Sequence, residues 1–263
     1  MEPKIVVINK KTGQTPLECI QELKKEHSNW KHLPMTYAGR LDPLARGVLL
    51  ILIGDECLKK DEYLALPKEY ELTVLFGFAT DTYDVMGKVT EGSNDETPSP
   101  QSVSMGHSPL AGGEELTRVL SSFVGRITQA YPPYSSRTVG GKPLFQWARE
   151  DKLDEITIPS HDVFVDNIEI LSLKSISGAS LLKKISKDVG SVSGDFRQQE
   201  ILELWTKHLA DKKESIFQTV KLKIKCSSGV YVRSIANDLG KSLGIPALAL
   251  DIVRTKIGDY LIK

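Results

Sequence analysis

Residues 37–53 read YAGRLDPLARGVLLILI, a stretch that joins a turn to an apolar strand. The Asp42-Pro43 step, shortly after a glycine, is typical of a turn, because aspartate readily bonds its own backbone. The apolar run 48–53 has strand length and predicts a buried strand. Asp42 lies just before this strand, between Arg40 and Arg46. The position suits either a structural cap or a carboxylate that faces an anionic polymer.

Outward from this stretch, the chain alternates between strand-like and helix-like patterns. Thr15, Pro16 and Glu18 predict a helix start with a capping box. Other strands are expected over 4–9, 70–78, 126–131, 163–173 and 217–226, and other helices over 114–124, 142–150, 195–212 and 230–243. This mixture, which contains no internal repeat, predicts an α+β fold. We expect residues 1–263 to form a single domain.

The composition excludes several classes of protein. Of the 263 residues, 40% are hydrophobic and 26% are charged, which is typical of a globular protein. No apolar run approaches the roughly 20 residues of a membrane span, and the N-terminus has no signal-peptide pattern, so neither a membrane nor secretion is expected. Three cysteines without C-x-x-C spacing and five scattered histidines argue against disulfides and against a metal site. A cytoplasmic protein is the expectation.

The charge distribution carries more information than the net charge, which is zero. Residues 91–113 are polar, rich in Ser, Gly and Pro, and predict a disordered surface insertion. Lys221, Lys223 and Lys225 alternate with apolar residues. They indicate either a solvated edge strand or a groove that faces RNA.

Two further segments contain chemically useful side chains. Lys68-Glu69-Tyr70 opens a strand that leads to the sequence TDTYD at 80–84. The sequence CSSGVYVRS at 226–234 is a strand-to-helix turn that presents Tyr231 and Arg233 two residues apart.

Taken together, these segments resemble the motifs of the TruB-type pseudouridine synthases. The motif around the family's catalytic aspartate is matched by residues 36–49, and the K-x-Y motif by 68–70. The G-x-x-T-D-T-x-D, P-P-x-Y-S and C-S-S-G-x-Y-x-R motifs are matched by 77–84, 132–142 and 226–240. The order of the motifs is correct from residue 10 to residue 260, and several ordered motifs are far more specific than one.

The resemblance implies a fold, a reaction and a set of site residues. The fold would be a mixed, largely antiparallel sheet flanked by helices. The reaction would convert uridine to pseudouridine, at position 55 in the T-loop of tRNA. Asp42 would be the nucleophile, Arg233 its ion-pair partner, and Tyr70 the ring that stacks on the flipped base or relays its proton. The expected substrate-binding residues are Tyr37, Tyr231, Ile252, Arg40 and Arg46.

The chemistry agrees with these assignments. The reaction breaks the N1–C1′ bond, turns the uracil, rejoins it through C5 and removes the C5 proton. No redox change occurs, so no cofactor is expected. The reaction needs an ionised carboxylate, and a neighbouring arginine stabilises that charged form. An unstacked base needs a ring to stack against. Whether Asp42 attacks the sugar, attacks the base or only abstracts a proton stays open at this point.

The chain also departs from the family pattern. Tyr37 replaces a histidine, and Thr138 stands where a lysine is usual. The sequence ends at Lys263, so we expect no C-terminal PUA domain. A monomer would then hold the T-arm of tRNA through a basic surface formed by Arg40, Arg46, Lys221, Lys223 and Arg254. The alternatives are a non-catalytic RNA-binding or RNA-folding protein on the same fold and, more remotely, an aspartate-nucleophile hydrolase. The second lacks the D-x-D pattern for magnesium.

Overall fold

A nine-stranded sheet forms the centre of the computed structural model, which describes residues 4–92 and 113–262. Seven strands lie in the order β1-β3-β12-β4-β11-β10-β7, while β2 pairs with β3 and β13 with β12. Every pairing is antiparallel except that of β12 with β3. The predicted α+β fold with a mixed, largely antiparallel sheet is confirmed. The predicted insertion falls almost entirely outside the described residues.

The strands of the main sheet are β1 (Ile5–Lys10), β2 (Met35–Ala38), β3 (Arg46–Ile53), β4 (Lys68–Phe76), β7 (Gly125–Ala130), β10 (Ser160–Ser177), β11 (Ile216–Cys226), β12 (Ala247–Ile257) and β13 (Tyr260–Leu261). Two small hairpins are formed by β5 (Phe78–Thr80) with β6 (Val89–Gly92) and by β8 (Thr138–Val139) with β9 (Lys142–Pro143).

The helices are α1 (Pro16–Glu26), α2 (Lys60–Ala65), α3 (Glu114–Ser122), α4 (Leu144–Arg149), α5 (Gly178–Gly190), α6 (Gln198–Leu209) and α7 (Val232–Leu243). The predicted capping box is present, since the Thr15 hydroxyl accepts from the Glu18 amide and the Glu18 carboxylate accepts from the Thr15 amide. Gly244 ends α7 in the left-handed conformation, as its sequence position predicts.

The two faces of the central sheet differ in character. On one face, Leu72, Ile224 and Tyr70 belong to a buried cluster that also contains residues of α7 and α3. On the other face, the side chains between them form ion pairs: Lys221 with Glu71 at 2.6 Å, and Lys225 with Glu69 at 3.8 Å. Alternation along β4 and β11 therefore separates the apolar face from a charged face.

The lysine strand is not the edge strand that its pattern suggested. It is β11, which lies between β4 and β10 inside the sheet. Its lysines stay partly accessible because they form ion pairs with Glu69 and Glu71 of β4 and are not covered by a layer of apolar side chains.

Candidate active site

The loop between β2 and β3 carries Asp42 and is fixed by two buried cations. Arg254 on β12 donates from Nε to the carbonyl of Val48 at 2.8 Å and from Nη2 to that of Gly39 at 2.9 Å. Lys10 at the end of β1 donates to the carbonyls of Pro43 at 3.1 Å and Ala45 at 2.5 Å. Burial lowers the pKa of Lys10 to about 8. Because both cations bind main-chain oxygens, they fix the loop backbone and leave the Asp42 side chain free for other contacts.

That side chain meets Arg233, which lies in the first turn of α7. Arg233 is buried, and its Nε lies 3.0 Å from Oδ2 of Asp42. The N–H at Nε forms no aligned hydrogen bond, so the contact is an ion pair of close charges. The two terminal nitrogens donate instead to the carbonyls of Thr82 at 2.7 Å and Tyr134 at 2.8 Å. Arg233 is thus held by two loops and presents its remaining face to a carboxylate that is about one-third exposed.

A second carboxylate, Asp84, is buried beside this pair. Its Oδ1 accepts from the Thr82 hydroxyl at 2.7 Å and from the Met86 amide at 2.9 Å. Burial raises the pKa of Asp84 to about 6, the Arg233 charge opposes that rise, and the Asp42 charge adds to it. The arrangement places two carboxylates around one guanidinium.

Tyr70 lies in β4 on the same face of the sheet as this cluster. Its neighbours in the apolar cluster include Leu41, one residue before Asp42, and Ile252 of β12. Burial is the largest effect on the Tyr70 phenol and raises its pKa, while the nearby positive charge of Arg254 opposes this rise. The phenol therefore resists ionisation, which favours stacking over proton transfer through a phenolate.

Tyr231 lies two residues before Arg233, and its ring centre is 5.8 Å from the carbon of the Arg233 guanidinium. Gln129 holds its backbone, accepting from the Tyr231 amide at 2.8 Å and donating to its carbonyl at 3.2 Å. His161 lies between two further carbonyls, those of Gln129 and Gly229, each at 3.1 Å. These contacts fix the turn that precedes Arg233.

Three other predicted substrate-binding residues lie further from the ion pair. Arg40 is exposed at the rim, where it donates to the Ser136 hydroxyl and to the Tyr37 hydroxyl. Tyr37 packs against the cluster formed by α1 and β3. Arg46 forms an ion pair with Asp251. Arg46 lies opposite Val253 of β12, on the charged face of the sheet. The structure brings together Asp42, Arg233, Tyr70, Tyr231 and Ile252, and it does not bring Arg46 to them.

The predicted basic surface is wrong in its composition. Arg254 is 1% exposed, since its guanidinium serves main-chain carbonyls inside the fold. Lys221 and Lys223 are bound to glutamates on the face of the sheet opposite Tyr70. Of the five expected cations, Arg40 alone is both exposed and attached to the Asp42 loop.

Sequence reasoning missed several side chains that shape the site: Lys10, Asp84, Gln129, His161 and the buried role of Arg254. The TDTYD sequence at 80–84 indicated a functional segment that includes Asp84, but nothing in the sequence says which of its two aspartates turns inward. Gln129 and His161 gave no signal, since their partners are backbone atoms of a distant turn.

Within the part of the chain that the structure describes, no group of His, Cys, Asp and Glu side chains could hold a metal ion. No helix there is long and apolar enough to cross a membrane.

Comparisons with known proteins identify the family. Residues 30–190 match the model of the TruB family pseudouridylate synthase N-terminal domain. The chain is 31% identical over 256 residues to tRNA pseudouridine synthase B of Lactobacillus gasseri, covering 97% of this chain and 69% of the relative. It is 28% identical over 342 residues to tRNA pseudouridine synthase 4 of Schizosaccharomyces pombe, covering 99% of this chain and 80% of the relative.

Solved structures support the fold. A Cbf5-Nop10-Gar1 complex contains a similar chain with a TM-score of 0.55 and 17% identity, covering 98% of this chain and 50% of the other. A structure of an H/ACA RNP bound to a substrate RNA gives a TM-score of 0.53 and 15% identity, with 98% and 49% coverage. The matched family model and the relatives confirm the resemblance seen in the motifs: the chain belongs to the TruB family of pseudouridylate synthases.

Proposed function

We propose that this protein converts uridine to pseudouridine in tRNA, at position 55 of the T-loop, through a reaction that depends on Asp42. The observation that carries the proposal is the approach of Arg233 to Asp42 at 3.0 Å beside the half-buried ring of Tyr231 and the buried ring of Tyr70. The printed names of the relatives, tRNA pseudouridine synthases B and 4, point to tRNA as the substrate.

Each residue has a distinct part in this proposal. Asp42 supplies the carboxylate that attacks the flipped nucleotide, at the sugar or at the base. Arg233 supplies the opposite charge that favours the ionised carboxylate and fixes its direction. Tyr70 supplies the stacking surface, because its raised pKa keeps the phenol neutral. Tyr231 and Ile252 close the pocket around the base, and Arg40 contacts the RNA backbone from the rim. The T-loop suits such a site, since a loop base costs less to flip than a base in a duplex.

The described residues contain the whole set of proposed catalytic groups in one sheet and its loops. A cytoplasmic location stays a prediction, which the three unpaired cysteines favour. A monomeric state is a separate prediction.

The test is mass spectrometry of tRNA after incubation with the protein, using a chemical tag for pseudouridine. Asp42→Asn is nearly isosteric, so the variant should keep its melting temperature and its tRNA affinity and lose product formation. If the Asn variant forms pseudouridine at a rate near that of the wild type, Asp42 is not the catalytic group. If the wild type binds tRNA and forms no pseudouridine, the alternative of an RNA-binding protein on this fold is correct.

A further inference from the structure

A pair of helices is inserted between two neighbouring strands next to the site. Strands β10 and β11 are antiparallel neighbours whose pairing ends at Ser177 and Ile216, so a short turn would connect them. Residues 178–215 instead contain α5 and α6. Trp205 of α6 is fully buried, and its indole donates to the carbonyl of Val85 at 3.3 Å, one residue from Asp84. The helical pair therefore packs directly against the 80–88 turn of the active site.

Arg197 precedes the first turn of α6 and reaches that same turn. Its Nη1 lies 2.7 Å from Oδ2 of Asp81, and its Nη2 donates to Oδ1 at 3.4 Å, a two-pronged contact. Its guanidinium carbon also lies 4.4 Å from the ring centre of Tyr134. The Arg197 side chain is 17% exposed and that of Asp81 is 23% exposed, so water screens the contact only in part.

The backbone of Arg197 adopts a conformation that its residue type disfavours. Its φ of 63° and ψ of 25° lie in the left-handed region. Such strain in a non-glycine residue persists only where surrounding contacts outweigh it. Here the contacts are those of the guanidinium with Asp81 and Tyr134.

The two segments that Arg197 contacts are the same two that hold Arg233. The Arg233 guanidinium donates to the carbonyl of Thr82, which follows Asp81, and to the carbonyl of Tyr134 itself. A shift of either segment would move an acceptor of Arg233 and with it the ion pair to Asp42. We propose that Arg197 is a positioning residue for pseudouridine formation, acting through the Thr82 and Tyr134 carbonyls on Arg233. This inference rests on the proposed function, because Asp42 and Arg233 are the groups that it positions.

Arg197 lies beyond residues 30–190, the segment that matches the family model, so the assignment comes from the contacts of this chain alone. A second ion pair offers a matched control. Lys88 and Glu200, 2.6 Å apart, also join α6 to the end of the 80–88 turn. Neither residue is part of the contacts described for Arg233. Glu200→Gln therefore removes a more exposed charge pair on the same helix without touching the acceptors of Arg233.

The experiment measures single-turnover pseudouridine formation, tRNA affinity and melting temperature for the wild type, Arg197→Gln, Arg197→Lys and Glu200→Gln. Misplacement of a catalytic group by a fraction of an ångström lowers the chemical rate steeply, so Arg197→Gln should reduce it about tenfold or more with tRNA affinity changed less than about twofold. Arg197→Lys keeps the positive charge and loses the two-pronged contact, so its rate should lie between those of the wild type and Arg197→Gln. Glu200→Gln should react like the wild type.

A double-mutant cycle with Arg233→Lys separates positioning from general destabilisation. If Arg197 acts through Arg233, the two substitutions together should cost less than the product of their separate fold-losses. The inference would be overturned if the two fold-losses in rate simply multiplied, or if Arg197→Gln reacted at the wild-type rate. It would also be overturned if Arg197→Gln and Glu200→Gln lost equal rate. If Arg197→Gln does not fold, Asp81→Asn removes the other half of the fork and gives the same test. A wild type without product would refute the proposed function itself, whereas an active wild type with an unaffected Arg197→Gln variant would refute only this inference.

Discussion

Single residues fix the Asp42 loop to the rest of the sheet. At Gly47 the backbone of β12 comes so close that no side chain fits. The φ of Gly47 is +108°, and a β-carbon at this position would lie 2.2 Å from the carbonyl oxygen of Arg254. Any side chain here must push β3 away from β12, where the two strands pair in parallel and Arg254 donates to the Val48 carbonyl. Gly54 also has a positive φ, of +63°, but nothing lies within 4 Å of the same added carbon.

The two glycines give a matched prediction. Gly54→Ala should lower the free energy of unfolding by about 1 kcal/mol, the cost of the left-handed backbone alone. Gly47→Ala adds a clash with the backbone and should cost about 2–4 kcal/mol more. Urea unfolding of both variants checks this, and equal losses would mean that β3 and β12 can separate easily.

Asp84 gives a prediction that depends on pH. Its carboxyl has a pKa of 3.8 when unfolded and about 6 in the fold, so the folded state binds more protons between these values. Stability from this group is therefore full below pH 3.8 and is lost as pH rises through 6. In Asp84→Asn, Oδ1 can still accept from Thr82 and Met86, and no charge is buried. The variant should exceed the wild type in free energy of unfolding by about 1–3 kcal/mol at pH 7.5 and by almost nothing near pH 4. A difference that stays constant over this range would contradict the burial of a charged Asp84.

Sequence reasoning at this scale found residues that belong to motifs and missed those whose partners are backbone atoms. Asp42, Tyr70 and Arg233 come from such motifs. The structure places Arg233 beside Asp42 and Tyr70 in one cluster with Leu41, and their catalytic roles stay a prediction. Arg254 was expected on the surface and is buried. A register shift between Arg254 and Lys256 breaks the alternation of β12, so the pattern of charges does not reveal which side chain turns inward.

At the scale of elements, patterning worked where it was regular. Helices α1, α6 and α7 and strands β4, β7 and β11 were predicted with small errors at their ends. Strand β12 was missed because two register shifts interrupt its alternation. Helix α5 was missed although Leu181, Ile185 and Val189 recur at helical spacing and are fully buried.

Trp205 is the largest buried side chain of helix α6, and this gives a prediction at the same scale. The Trp205 ring packs 5.1 Å from that of Phe78, and its indole bonds to the Val85 carbonyl. Trp205→Ala should lower the free energy of unfolding by about 3–5 kcal/mol. Trp205→Phe should lose about 1–2 kcal/mol, since it leaves that carbonyl unpaired. Thr206→Ala, an exposed change on the same helix, should stay within about 0.5 kcal/mol. Urea denaturation measures all three, and a small loss in Trp205→Ala would mean that α6 is held mainly elsewhere.

At the scale of the whole molecule, zero net charge limits how tRNA can be held. Long-range attraction is weak, so binding must use local cations near the site. The lysines of β11 are poor candidates, because Glu69 and Glu71 bind them on the face opposite Tyr70. Arg40 and Arg137 are better ones, since both are exposed and flank the site: Arg40 bonds to Ser136, and Arg137 lies 5.1 Å from the Tyr131 ring centre.

This contrast predicts how affinity depends on salt. Each phosphate contact contributes about 0.7–0.9 to the slope of log affinity against log salt concentration, because bound counterions are released. Arg40→Ala and Arg137→Ala should each lower that slope by roughly one and leave the modified uridine unchanged. The Lys221→Ala/Lys223→Ala double variant should keep the wild-type slope, since its lost charges were neutralised by glutamates. Binding titrations of a tRNA transcript at several salt concentrations decide between them. If the slope falls in the lysine variant and not in the two arginine variants, the RNA backbone binds the charged face of the sheet. The apolar face near Tyr70 would then contact only the flipped base.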